Sequence, residues 1–191
     1  MARLWDRLLG LNTHADAQWK HRRLGGYLFK SLQVMHGTLK VLQLYLSFPR
    51  HLKPGFGWME QVEIDFVPHC DDGTLPPTSP LVLWSQYLLD AMNRAYRPMT
   101  YNPETRTMLE RTGFVEVHEQ VIKVPLNPWP IDPHMKDIGR WYNLGITQGL
   151  EALTLAPLMR MNDWPREDVD RLVNEARRDI CSRKIHAYCN M

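Results

Sequence analysis

The sequence predicts an α/β fold in which helices cover the faces of a mainly parallel sheet. Two observations predict it. First, apolar and polar residues alternate at 61–66 and apolar residues recur at 114–126, which predicts two strands. Second, apolar residues recur with helical spacing between these segments and after them, which predicts helices. Strands that alternate with helices along a chain are typical of parallel sheets. The short segment 185–189 follows a long helical stretch and is compatible with an antiparallel edge strand.

The first strand has two different faces. Its apolar residues would point into a core, and its polar residues would share the opposite face. Of the polar residues, Glu63 and Asp65 are candidates for a substrate pocket, because two carboxylates on one face could do acid–base chemistry. The alternative, which we favour, is that they lie on the solvent-facing side of a half-buried sheet.

Two helices are predicted between the strands from their start and stop signals. Ser79 is a suitable N-cap, Pro80 suits the first turn, and this helix ends before Pro98. The second helix has Asn102 as its cap and ends at Gly113.

Two longer helices are predicted after the second strand. One runs from Pro133 to about Ala156, where Pro157 interrupts it, and the last begins near Pro165. Apolar residues in the last helix recur with helical spacing and predict a buried stripe. The stripe consists of Val169, Leu172, Val173, Ala176 and Ile180.

Composition is typical of a soluble globular protein. The 191 residues suit one domain of roughly 100–200 residues, with 44% hydrophobic and 23% charged residues. The net charge of +2 indicates neither a nucleic acid nor a membrane surface as a partner. No apolar run approaches the roughly 20 residues of a membrane-spanning helix. Three cysteines without metal-ligand spacing predict a reducing intracellular compartment, cytoplasmic or nuclear.

Residues 1–32 differ in character from 33–191. They combine a short amphipathic helix with a basic run at 20–23 and a pair of glycines. The basic run is interpreted as a solvated linker, and a nuclear-import signal is the alternative. The sequence therefore predicts an atypical N-terminal segment at 1–32 and a folded domain at 33–191.

Several kinds of site are not indicated. A nucleotide-type cofactor needs a glycine-rich turn from a strand into a helix, whereas Gly55 and Gly57 precede a strand. The His, Cys and two Asp residues at 69–72 are adjacent, so their side chains point in different directions, and a solvated loop is favoured over a metal site. No nucleophile motif occurs and no catalytic residue is assignable.

Four aromatic residues are further candidates for a substrate pocket. Trp84, Trp129, Trp141 and Tyr142 could line an aromatic pocket. Aromatic residues at helical spacing more often belong to a core, and we favour that interpretation.

Several motifs occur in an order that resembles one protein family. HLKPGFGWMEQVEID stands at 51–65, CDDGTLPP at 70–77, NPWP at 127–130, GRWYN at 139–143, GLEAL at 149–153 and KIHAY at 184–188. Together they resemble the LaeA-like class I S-adenosylmethionine-dependent methyltransferases of filamentous fungi, which act in or regulate secondary metabolism. The resemblance covers about residues 33–191.

The resemblance implies an incomplete Rossmann-like sheet. Residues 57–67 would be its fifth strand, 114–125 its sixth and 185–190 its antiparallel seventh, with helical insertions that cap the substrate side. In such enzymes a glycine-rich loop and an acidic residue hold the methyl donor, and neither has a match upstream of residue 33. Residues 33–37 would be a remnant of the loop after the fourth strand. His36 is therefore the one residue that we expect to lie near the cofactor.

The resemblance leaves three functional hypotheses. The first is a methyltransferase that transfers the S-methyl group of S-adenosylmethionine to a small molecule or a protein, mostly by positioning donor and acceptor. The second is a non-catalytic, truncated paralogue that acts as an interaction or regulatory subunit with protein partners. The third is a fragment of an ordinary enzyme that results from a wrong gene model. In a truncated sheet, an unpaired edge at 57–67 would favour self-association.

Overall fold

The structure is a computed structural model that describes residues 52 and 55–191. The predicted N-terminal helix, the basic run and His36 lie outside the described residues. Two compact units are present: residues 64–101 and 121–191 form the main unit, and residues 52, 55–63 and 102–120 belong to the second. No helix in the described part is both long and apolar enough to cross a membrane.

The described elements are four helices and two short strands. In chain order they are α1 (Pro80–Arg94), α2 (Thr105–Arg111), β1 (Lys123–Pro125), α3 (Pro133–Met161), α4 (Arg166–Cys181) and β2 (Tyr188–Asn190). In the main unit α1, α3 and α4 each pack against the other two. The side chains between them are excluded from water, which is the dominant stabilising contribution to folding. Those with no exposed surface include Leu88, Ala91, Leu150, Leu158, Val169 and Ala176.

Local signals place the starts of α1 and α4 correctly. The Ser79 hydroxyl accepts a hydrogen bond from the backbone nitrogen of Val82 at 3.3 Å, and Pro80 is the first residue of α1. α4 begins directly after Pro165, and all five residues of its predicted stripe are buried. Both predictions are confirmed.

α3 continues through Pro157 to Met161, so the prediction that this proline interrupts the helix is wrong. A proline inside a helix lacks one hydrogen bond and costs about 3 kcal/mol or more. The turn that follows is stabilised by tertiary contacts, because Leu158 is fully buried. Its carbonyl also accepts bonds from the backbone nitrogens of Asn162 and Trp164, at 3.1 and 3.2 Å. Packing therefore outweighs the intrinsic preference of proline here.

α2, in the second unit, begins later than predicted. The Asn102 side chain accepts a bond from the backbone nitrogen of Glu104 at 3.0 Å, which forms a turn, and the helix starts at Thr105. Gly113 follows the helix with a φ of +97°, as the predicted glycine stop requires. The buried apolar cluster of this unit contains Leu52, Met108 and Leu109.

The sheet of the described part is small and antiparallel. β2 pairs with β1 on one side. On its other side it bonds to residues 65–69, where His69 and Tyr188 exchange two backbone hydrogen bonds of 2.8 and 2.9 Å. β2 therefore lies between residues 65–69 and β1. The mixture of helices and strands is consistent with the predicted α/β class, and the antiparallel direction of the last strand is confirmed. Its predicted position at an edge is wrong for the described part of the sheet, because β2 pairs on both sides. A mainly parallel sheet stays a prediction.

The two longer predicted strands are wrong as continuous elements. Residues 57–67 form no strand apart from a single bridge residue, and of 114–125 only the last three residues are a strand. The Asp65 carboxylate accepts a bond from the backbone nitrogen of Val67 at 3.1 Å, and such local bonds compete with strand pairing. Glu116 has a φ of +55°, which breaks the extended backbone.

Candidate functional site

The loop that enters α1 holds two neighbouring carboxylates, Asp71 and Asp72. Gly73 has a φ of +74°, which a residue without Cβ adopts without strain. One oxygen of Asp72 accepts three bonds: from the backbone nitrogen of Thr74 at 3.1 Å, from its hydroxyl at 2.8 Å, and from the Cys70 thiol at 3.1 Å. The turn therefore holds the Asp72 carboxylate and leaves its other oxygen for a different partner.

That second oxygen of Asp72 bonds to the Nδ1 of His186. The Thr74 hydroxyl also accepts a bond from the backbone nitrogen of His186, at 2.8 Å. The Trp129 indole stacks on the imidazole, with ring centroids 4.8 Å apart and 23° between the planes. The indole itself is anchored, since its Nε1 donates to the Ala187 carbonyl at 3.1 Å. The imidazole is thus held at one edge and on one face.

Asp71 connects the same loop to both strands. Its carboxylate accepts bonds from the Tyr188 hydroxyl at 2.7 Å and from the Lys123 ammonium at 2.6 Å. The Lys123 nitrogen also lies 4.6 Å from the centroid of the Tyr188 ring. We call the whole group the loop–strand cluster. It comprises Cys70, Asp71, Asp72, Thr74, Lys123, Trp129, His186 and Tyr188.

The two carboxyl groups of the cluster have lowered pKa values. Hydrogen bonds, first from Cys70 and then from Thr74, hold the pKa of Asp72 well below its usual range. The bond from Lys123 lowers the pKa of Asp71, and Asp71 in turn raises the pKa of Lys123. Both carboxyl groups are therefore ionised at neutral pH, and each has hydrogen-bond donors that compensate its charge.

This electrostatic arrangement predicts an acid-sensitive contribution to stability. The folded-state pKa of Asp72 is below the ordinary aspartate value of about 3.9. Its charge therefore stabilises the fold above that value, and the contribution is lost as the pH falls through the lowered pKa. We expect the thermal midpoint of the wild type to fall more steeply than that of Asp72→Asn between about pH 4 and pH 2.

The matched control for this prediction is Asp163→Asn, which removes one exposed carboxylate outside the cluster. Its pH profile should keep the slope of the wild type. Parallel profiles for Asp72→Asn and the wild type would contradict the charge-linked role of Asp72.

The aromatic pocket candidates lie in different surroundings. Trp129 belongs to the loop–strand cluster. Trp84 is a core residue, 2% exposed, and its Nε1 donates to the Thr154 hydroxyl at 2.7 Å. Trp141 lies on the surface of α3 with 43% of its area exposed, whereas its neighbour Tyr142 is buried. The structure thus brings Trp129, and neither Trp84 nor Trp141, to the cluster.

The two strand carboxylates belong to different compact units. Glu63 is half-buried and accepts a bond from the Gln61 amide, and burial raises the pKa of Glu63. Asp65 bonds to the backbone of Val67. A joint acid–base role for Glu63 and Asp65 stays a prediction, as does the cofactor role of His36.

Four members of the cluster were not predicted as site residues from the sequence: Thr74, Lys123, His186 and Tyr188. The acidic pair in the loop was considered only as part of a metal site, and no group of three His, Cys, Asp or Glu residues within 55–191 could hold a metal ion. The sequence feature that could have indicated this site is the pair of motifs CDDGT and KIHAY, because Asp72 of the first and His186 of the second form a hydrogen bond.

Comparison with curated proteins identifies the family. The chain is 55% identical over 150 residues to the secondary metabolism regulator LAE1 of Cochliobolus heterostrophus, which covers 78% of this chain and 49% of that protein. It is 36% identical over 188 residues to the secondary metabolism regulator laeA of Gibberella zeae, which covers 98% of this chain and 56% of that protein. The chain is a LaeA-like protein.

A third relative has a name that states a chemistry. The protein-methionine methyltransferase laeA of Chaetomium globosum is 42% identical to this LaeA-like chain over 148 residues, 77% of this chain and 46% of that protein. The LaeA-like chain spans about half the length of the curated relatives it matches. No protein-family model and no solved structure matches it.

The cysteines of this LaeA-like chain differ in burial. Cys181 is exposed, whereas Cys189 in β2 is buried, and burial raises the pKa of Cys189 to about 12. The thiolate is the reactive form. We therefore expect iodoacetamide at neutral pH to label Cys181 in the folded protein and to label Cys189 only after unfolding, as mapped by peptide mass spectrometry. Equal native labelling of both would contradict the burial of β2.

Proposed function

We propose that the chain forms the acceptor side of an S-adenosylmethionine-dependent methyltransferase of fungal secondary metabolism. The observation that carries the proposal is the position of β2, antiparallel between residues 65–69 and β1. This order supports the assignment of 65–69, β1 and β2 as the fifth, sixth and seventh strands of an incomplete Rossmann-like sheet. The name of the Chaetomium globosum relative supports methyl transfer as the chemistry.

The loop from residues 65–69 into α1 does not fit the methyl donor. A nucleotide-type donor needs free backbone amides in a glycine-rich turn between a strand and a helix. The loop from residues 65–69 into α1 contains one glycine, Gly73, and the amide of Thr74 already donates to Asp72.

The acceptor, a small molecule or a protein, would meet the loop–strand cluster. In open α/β sheets, ligands bind beyond the carboxyl ends of the strands. The loop at 70–74 follows residues 65–69 at this end, and it holds the two carboxylates of the cluster. Of the predicted pocket residues, this placement favours Trp129 as one that contacts the acceptor.

A second candidate function is a regulatory subunit without catalysis of its own. The names of the Cochliobolus heterostrophus and Gibberella zeae relatives, secondary metabolism regulators, favour it. The partner would be a regulatory protein or a second copy of the chain. In either function we expect an intracellular location, cytoplasmic or nuclear.

Calorimetry tests whether the chain by itself binds the methyl donor. We expect S-adenosylmethionine titrated into the purified 191-residue chain to release no binding heat, and the Chaetomium globosum relative to bind it under the same conditions. Micromolar binding by the chain alone would refute the acceptor-side assignment.

A chimera tests the function directly. The aligned 148 residues of this chain would replace their counterpart in the Chaetomium globosum methyltransferase. We expect the chimera to keep S-adenosylmethionine-dependent methylation. A folded chimera that binds the donor but transfers no methyl group would contradict the proposal and favour the regulatory alternative.

A further inference from the structure

We propose that His186 is a proton acceptor for a ligand that carries an aromatic hydroxyl group. The geometry of the Asp72–His186 pair and of the indole beside it carries this inference. It holds whether or not the chain takes part in methyl transfer.

The hydrogen bond to Asp72 determines which nitrogen of His186 can accept a proton. An ionised carboxylate only accepts hydrogen bonds, so the Nδ1 of His186 must donate. A neutral imidazole that donates from Nδ1 presents Nε2 as an acceptor. Within the described residues no group bonds to this Nε2, and 35% of the side chain is exposed. The accepting nitrogen is therefore available to a ligand.

The surroundings keep a fixed negative charge beside the His186 ring. Asp72 is held by three hydrogen bonds on its other oxygen, so its charge stays in place beside the ring. The neighbouring carboxylate of the loop, Asp71, is already paired with Lys123. A carboxylate that orients an imidazole and stabilises its cation is the arrangement found in hydrolase triads, where histidine acts as a general base.

Trp129 indicates the class of ligand. Its half-buried indole covers one face of the His186 ring, and aromatic surfaces favour ligands with aromatic rings of their own. A phenolic hydroxyl next to Nε2 would then transfer its proton. The O–H bond breaks, the electron pair stays on the oxygen as phenolate, and the proton forms the imidazolium of His186.

The probe for this inference is 4-nitrophenol, because its phenolate absorbs visible light and the protonated form does not. At a pH near the pKa of the free probe, where an ordinary imidazole is mostly unprotonated, adding the wild-type chain should raise the phenolate absorbance to saturation. We expect His186→Gln to abolish the rise and Asp72→Asn to reduce it. His134→Gln, which replaces an exposed histidine of α3 outside the cluster, should leave it unchanged.

Two outcomes would overturn the inference: no rise with the wild type, or a rise that persists in His186→Gln. If that variant fails to fold, carbethoxylation of the wild-type histidines by diethyl pyrocarbonate replaces it. The phenolate signal should then be lost in proportion to the modification of His186, as mapped by mass spectrometry. A signal that survives complete modification of His186 would equally overturn it. No methyl donor is present, so the result is independent of the proposed methyltransferase function.

Discussion

Gly139→Ala is expected to destabilise the main unit by about 3 kcal/mol, the upper part of the usual range for overpacking. A Cβ at position 139 would lie 2.4 Å from the carbonyl oxygen of Asn127 and 2.8 Å from its carbonyl carbon. Both are backbone atoms, so the clash cannot be relieved by turning a side chain. We expect urea unfolding to show a lower midpoint with an unchanged slope.

The backbone at Asn127 cannot easily move to make room. Its side chain is 1% exposed and donates to the carbonyls of Ser182 and Ile185, both at 3.1 Å. A shift of the Asn127 backbone would therefore disturb the segment that leads into β2 and the loop–strand cluster.

Gly145→Ala is the matched control on the same helix. No atom lies within 4 Å of a Cβ at this position. Alanine is the better helix former by about 1 kcal/mol, so this variant should be as stable as the wild type or more stable. If Gly139→Ala were as stable as Gly145→Ala, the close approach of α3 to Asn127 would be wrong.

Features of the fold that depend on residues close together in the sequence could be predicted. Ser79 caps α1 through a residue three positions away, and the stripe of α4 follows from its own periodicity. The extension of α3 past Pro157 depends instead on tertiary burial of Leu158, which no local pattern encodes. Likewise, residues 65–69 pair with β2, which lies more than a hundred positions away in the sequence. The apolar–polar alternation at 61–66 does not encode this pairing, and it predicted a longer strand than the structure has.

The candidate site was harder to predict for the same reason. Asp72 and His186 are 114 positions apart, and neither stands in a motif with a known ligand spacing. Trp129 was a candidate because it is aromatic, but its role depends on the imidazole that stacks on it. Trp84 looked equivalent in the sequence, and burial distinguishes the two residues.

Trp84→Ala is expected to destabilise the main unit by about 3–5 kcal/mol, the range for removing a buried large aromatic side chain. Trp84 is 2% exposed, and the change also leaves the Thr154 hydroxyl without its bond from the indole. Thr154 still donates to the Leu150 carbonyl, so the hydroxyl keeps one partner. The cavity is therefore the larger contribution, and Trp84→Phe, which fills most of it, should cost less than Trp84→Ala.

Trp141→Ala is the control that separates a core role from a pocket role. Trp141 is also a tryptophan of the main unit, but with 43% of its area exposed its removal leaves no closed cavity, and it should lower the free energy of unfolding by clearly less than the removal of Trp84. Urea unfolding of the three variants beside the wild type measures both effects. If Trp84→Ala unfolded at the same urea concentration as Trp141→Ala, Trp84 could not be the residue around which α1 and α3 pack.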